Sequence, residues 1–203
     1  MIEKLIKVGE RFLLNAGEET FLCRIEEVGR SNLRITVPRQ DFPMTGMIAR
    51  LIFHDESGCT TFDSEVVQGP SLGNPFVLLR MPDEGERTVH RDFTRVESSL
   101  PVKFRPLGKV AYHEGRMANL SAGGMLIATD IKESLKSIEL RFSLPRRGEI
   151  SCLGEVVHTV KSPDDDGDGV LYGCRFTGLE KRDVRAIIEF VWDVLEHKQE
   201  AAS

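Results

Sequence analysis

Apolar and polar positions alternate with a period of two over short stretches of this chain, and the period changes only near the C-terminus. Residues 10–16, 20–28, 33–37, 47–54, 59–67 and 76–81 are runs rich in branched and aromatic side chains, which suit a pleated, half-buried strand. Between them stand Asn15-Ala16-Gly17, Gly29-Arg30-Ser31-Asn32, Pro43-Met44-Thr45-Gly46, Glu56-Ser57-Gly58 and Gly69-Pro70-Ser71-Leu72-Gly73-Asn74-Pro75, all of it turn chemistry. Six strands at near-even spacing predict a small antiparallel barrel. Residues 82–88, polar and charged, break the pattern and read as an interdomain linker.

The second half repeats the theme, with strands expected over 96–105, 110–118, 124–128, 138–144, 150–160 and 171–176. From Thr177 the spacing becomes helical: Thr177-Gly-Leu-Glu180 has the form of a capping box, and Val184, Ile187, Ile188, Val191, Trp192 and Leu195 fall on one side. Packing that stripe over an open barrel end costs less entropy than recruiting a partner, so burial within the chain is the first reading. A partner surface or homodimer helix is the second. The expected fold is all-β: two small antiparallel β-barrels joined by a short linker, with a C-terminal α-helix, divided as 1–85 and 86–203. A chain of 203 residues is long enough for two such cores.

Charge sharpens this picture. The net charge is −5, against the basic surplus of proteins that coat nucleic acid. Yet residues 87–116 hold seven Lys or Arg against three acids, and a small basic island on an acidic protein suits a compact anion better than a polymer. The four cysteines, at 23, 59, 152 and 174, show no paired spacing, so neither a zinc site nor a disulfide framework is indicated. The N-terminus lacks an apolar signal region and no run is long enough to span a membrane. A cytoplasmic protein is expected.

The candidate chemistry sits in that island. Arg91 and Arg95 are four residues apart, which on an extended strand puts two guanidinium groups on one face, able to approach one planar anion together. Asn119-Leu-Ser121-Ala-Gly-Gly124 follows and supplies an amide that donates and accepts, a hydroxyl, and glycines that admit close backbone approach. Taken singly, the arginines read as a solvated edge strand and the second motif as a hairpin turn.

Together, in this order and with Leu100-Pro-Val-Lys-Phe-Arg105 between them, the two motifs resemble the PilZ domain, a family that binds the bacterial second messenger cyclic di-GMP. The resemblance continues through Leu144-Pro145 and Tyr172-Gly-Cys-Arg-Phe176. Residues 1 to 85 resemble the N-terminal barrel of YcgR-like proteins. The resemblance implies a receptor, not an enzyme, with no cofactor. Arg91 and Arg95 would sit on phosphates and guanine, Asn119 and Ser121 on guanine edges, and Gly124 beside them. It also implies that binding resets the angle between the barrels, and a protein partner such as the flagellar motor or another motility or biofilm effector. His90 stands where many relatives carry a further arginine, a position the family links to binding one ligand or a stacked pair. A neutral imidazole offers less charge to a second pair of phosphates.

Other motifs carry less. Asp164-Asp-Asp166-Gly-Asp168-Gly169 imitates a calcium loop but has Arg175 where the bidentate glutamate belongs. Ser57, Ser99 and Ser121 lack a nucleophile-elbow context, and the histidines form no metal-ligand spacing. Two rival readings remain: a PilZ-like interaction scaffold that binds no nucleotide, and a single-stranded nucleic-acid barrel, for which only Phe93 and Phe104 interleave the basic residues.

Overall fold

The computed structural model describes residues 5–38, 43–55, 58–82, 86–88, 93–161 and 169–202. The chain divides into two compact units, 1–92 together with 192–203, and 93–191.

In the first unit, β1 (Arg11–Ala16), β2 (Glu19–Val28), β3 (Asn32–Thr36), β4 (Ile48–Asp55), β5 (Gly58–Gln68) and β6 (Phe76–Arg80) run in the order β4-β1-β2-β3-β6-β5, and pairing of β4 with β5 closes the barrel. Period-two alternation explains the core. Leu33 and Ile35 of β3 and Ala49, Leu51 and Phe53 of β4 are fully or nearly fully buried, while Arg34, Ile48 and Arg50 between them are exposed. Phe12 stacks on Phe53, and Phe53 meets Phe62 edge to face. Each such buried side chain stabilises the barrel by about 1.5–3 kcal/mol relative to exposure. The stretch expected as linker is not wholly irregular: β7 (Glu86–Thr88) pairs antiparallel with β5, Thr88 opposite Cys59.

The ladder between β2 and β3 ends at Arg24 opposite Thr36. Two residues on, the same register sets Leu22 against Pro38, which has no N–H to give. Gln199 of the C-terminal helix takes that place: with its amide oriented to satisfy both partners, the oxygen accepts from Leu22 N at 2.6 Å and the nitrogen donates to Leu22 O at 3.3 Å.

The second unit contains β8 (Val96–Glu97), β9 (Pro101–Pro106), β10 (His113–Ser121), β11 (Gly124–Thr129), β12 (Ser137–Leu144), β13 (Gly148–Lys161) and β14 (Val170–Thr177). Six of them close in the order β11-β14-β13-β12-β9-β10, with β8 added to β10. The single strand expected over 96–105 is thus two, separated at residues 98–100, where Met117 N donates to Leu100 O at 2.9 Å. Tyr172, 1% exposed, pins the segment between β11 and β12: its hydroxyl accepts from Glu133 N at 3.0 Å and lies 2.8 Å from Ile131 O.

The C-terminal helix α1 (Lys181–Ala202) starts later than the capping box implied. Thr177 is still in the β14 ladder opposite Leu153, and Gly178 turns the chain with φ +75°. Glu180 O then accepts from Asp183 N and Val184 N, both at 3.0 Å. The apolar stripe is buried at Ile187, Val191 and Trp192, joined by Phe190. Within the first unit, Trp192 packs 5.3 Å from the His54 ring, and Arg11 reaches Asp193 at 3.2 Å and Glu196 at 3.4 Å.

Candidate functional site

Strand alternation alone would not put the polar residues of the second motif on the barrel's outer face. Met117 points into the core at 0% exposure and so does Leu120, three residues later. A bulge between Met117 and Asn119 reconciles the two by inserting one unpaired residue. The reset turns Asn119 and Ser121 outward together. The turn of the β10–β11 hairpin is only Ala122-Gly123, with Ser121 opposite Gly124, so Asn119 to Ser121 belong to a strand and not to a loop.

Residues directly opposite in a ladder point to the same side of the sheet. Asn119 lies opposite Glu97 and Leu120 opposite Val96 in the β10–β8 pairing. One further step in that register sets Arg95 opposite Ser121. Val96 is buried at 3%, so Arg95 and Glu97 face outward by alternation, and Arg95 is exposed. On the other side, Gly124 is opposite Arg175 of β14, and Arg175 is opposite Glu155 of β13. One outer row therefore reads Ser121, Gly124, Arg175, Glu155, with the exposed Arg95 one residue before β8. The next reads Glu97, Asn119, Leu126, Gly173, His158.

Local contacts give these residues definite roles in the fold. Ser121 is only 4% exposed, and its hydroxyl donates to Gly124 O at 3.3 Å, which leaves its lone pairs for a ligand donor. The glycine at 124 is required by β14: a Cβ there would overlap the Cys174 carbonyl oxygen. The close backbone approach expected of Gly124 is therefore made by a neighbouring strand, and the outer row has no side chain at that point. At Gly173 the His158 ring lies across the space a Cβ would fill.

Of the six residues singled out from sequence, Asn119, Ser121 and Gly124 come together in these two rows, and Arg95 adjoins them just before β8. His90 and Arg91 lie outside the described residues. Residues 93–95 carry no ladder pairing, so the extended strand expected to align the arginines begins only at Val96. Arg175 was missed because it is 51 positions beyond Gly124 and joins it only through the β11–β14 register. One concavity of the second barrel, about 410 Å³, is lined by Glu114, Arg116, Thr129 and Asp130 among others, at the opposite end of β10 and β11. A ligand of the outer rows would lie on the surface and not in that hollow.

Among the described residues no group of three His, Cys, Asp or Glu side chains could hold a metal ion. Burial pushes the Cys152 and Cys174 thiols up to about 12, so neither is a thiolate at neutral pH. The acidic run 164–168 lies outside the described residues. No helix among them is long and apolar enough to cross a membrane.

Among solved structures, the chain is similar to the Bacillus subtilis inhibitor of motility MotI/DgrA, with 18% identity over 95% of this chain and 99% of that one and a TM-score of 0.48. It is also similar to K. pneumonia MrkH in complex with cyclic di-GMP (17% identity, 98% and 91% covered, TM-score 0.45) and to YcgR from Escherichia coli in complex with cyclic di-GMP (12%, 99% and 90%, 0.46). No curated protein matches it in sequence. A model of the PilZ domain matches residues 90–192, more than half of the 203 positions, and the chain belongs to the PilZ domain family.

Proposed function

We propose that this protein is a cyclic di-GMP receptor and not an enzyme, and that its ligand lies on the outer rows of the second barrel. The observation that supports the reading is the bulge that turns Asn119 to the same outer face as Ser121, with the exposed Arg95 one residue before the buried Val96 of the neighbouring strand. A charged donor, a hydroxyl and an amide then converge on one patch, where arginine can engage guanine O6 and N7 or a phosphate with a geometry lysine lacks. Arg91 and His90 complete the proposed set, with His90 favouring a single ligand over a stacked pair. The output is a change in the arrangement of a first domain (1–85) and a PilZ domain (86–203), passed to a protein partner in motility or biofilm control. The relatives' names support that direction: MotI is an inhibitor of motility, and MrkH and YcgR have been solved with cyclic di-GMP.

Calorimetric titration with cyclic di-GMP tests the reading. Arg91→Ala and Arg95→Ala should each weaken binding about ten- to hundredfold, the loss of a charge-assisted or bidentate contact. Tight binding that both variants leave unchanged removes the assigned site. Absence of binding by the wild-type chain would favour the scaffold that takes no nucleotide.

A further inference from the structure

Arg175 closes the outer row on the side away from Arg95. Continued one step past the β8 ladder, the register would put the two arginines three strand spacings apart, about 14 Å, with Ser121 and the bare backbone of Gly124 on the strands between them. A ligand that offers a donor to Ser121 and lies over Gly124 would thus have a guanidinium within reach of its anionic groups at each end. Arg175 is already engaged, however: its Nη2 donates to Glu155 Oε2 at 2.7 Å, with both side chains about half exposed. An exposed pair of this kind adds little to stability, so its partners can be exchanged at small cost. The ligand and Glu155 would want the same guanidinium.

We infer that Arg175 is a further ligand-binding residue and that Glu155 is a positioning residue that sets affinity by competing for it. This rests on the cyclic di-GMP reading above and adds to it a built-in ceiling on affinity. Binding would require Arg175 to leave Glu155, and the anion would gain a third arginine while passing close to a carboxylate. Removing the carboxylate should therefore tighten binding, whereas removing Arg175 should weaken it.

The first barrel supplies an internal control. Arg80 and Glu65 occupy the corresponding places, opposite Asn32 where Arg175 is opposite Gly124, and make the same contact at 2.7 Å. No serine or second arginine stands in that row beside Asn32; the corresponding position is Gly29.

The test is titration of the full chain with cyclic di-GMP at one fixed ionic strength. Arg175→Gln should weaken binding about tenfold or more, and Glu155→Gln should tighten it about two- to fivefold. In the double variant the gain from Glu155→Gln should vanish, because its target is gone. Arg80→Gln should leave affinity where it was, and unchanged melting temperatures should show that the exposed substitutions leave folding alone. If Arg175→Gln binds like the wild type while Arg95→Ala does not, this inference fails and the receptor reading stands. If Glu155→Gln tightens binding equally without Arg175, the glutamate acts as bulk charge and its positioning role is overturned. A wild-type chain that does not bind cyclic di-GMP overturns both readings.

Discussion

Counted from its own first strand, each barrel closes in the same cyclic order, 1-2-3-6-5-4, with every pairing antiparallel. The likeness extends to defects. The first barrel has bulges in its second and fifth strands, at Ile25/Glu27 and Val66/Gln68, and the second barrel has them in the same two strands, at Met117/Asn119 and Val156/His158. What differs is the chemistry that the shared geometry presents. The residue after the second-strand bulge is Glu27 in the first barrel, held by Arg34 at 3.1 Å, and Asn119 in the second. A carboxylate there would repel an anion, whereas an amide can bond it. One scaffold carries two surfaces that differ in a few side chains.

The hairpin glycines offer the strongest way to break this comparison. Gly124→Ala drives a Cβ into the β14 backbone and should cost about 3 kcal/mol, which in a domain of this size lowers the melting temperature by more than about 10 °C. Gly29→Ala meets Asn32 O at 3.1 Å and Asn32 N at 4.0 Å, and should cost less than about 1 kcal/mol. Equal melting shifts in thermal unfolding would mean that the second hairpin is not the tighter one.

Buried serines sharpen the contrast. Ser64, 5% exposed, donates to Arg80 O at 2.6 Å, and Ser121, 4% exposed, to Gly124 O at 3.3 Å. Each Ser→Ala change should cost on the order of 1 kcal/mol of stability. Only Ser121→Ala should also weaken cyclic di-GMP binding, and a loss of affinity in Ser64→Ala would show that the two barrels are not functionally separate.

The smallest expected effect belongs to the first barrel's outer face. The Arg50 guanidinium, bonded to the Asp63 carboxylate at 2.8 and 3.1 Å, holds Asp63 below the usual carboxylate range. A lowered folded pKa contributes stability that is present above the unfolded value, 3.8, and is lost as pH falls through the folded one. Both groups are exposed, so the contribution is well under about 1 kcal/mol. Asp63→Asn should therefore match the wild type in denaturant midpoint at pH 2 and fall slightly below it at pH 6.

Much of this was legible in the residues. Period-two runs located the strands because a closed barrel buries one face of each, whereas the arginine and Asn-x-Ser motifs were singled out by their order and their resemblance to the PilZ domain. The facing of Asn119 was not legible, since a bulge is one extra residue that looks like broken alternation. Neither was the row from Ser121 to Glu155, which exists only once three ladders fix their registers. Thr177 misled for a related reason: its capping chemistry is real, but pairing with Leu153 keeps it in a strand.

The Gln199 contact with Leu22 bears on what happens when the chain's end is lost. An unpaired strand edge is a template for another strand. With Pro38 unable to extend the ladder, Gln199 occupies the Leu22 N–H and C=O among the described residues. Clipping the chain before residue 199 would leave the first barrel folded by its own core yet uncover a short edge flanked by Phe21 and Cys23. Such a fragment should associate with itself at concentrations where the full chain stays monodisperse, so the last turn of the helix serves solubility as much as stability.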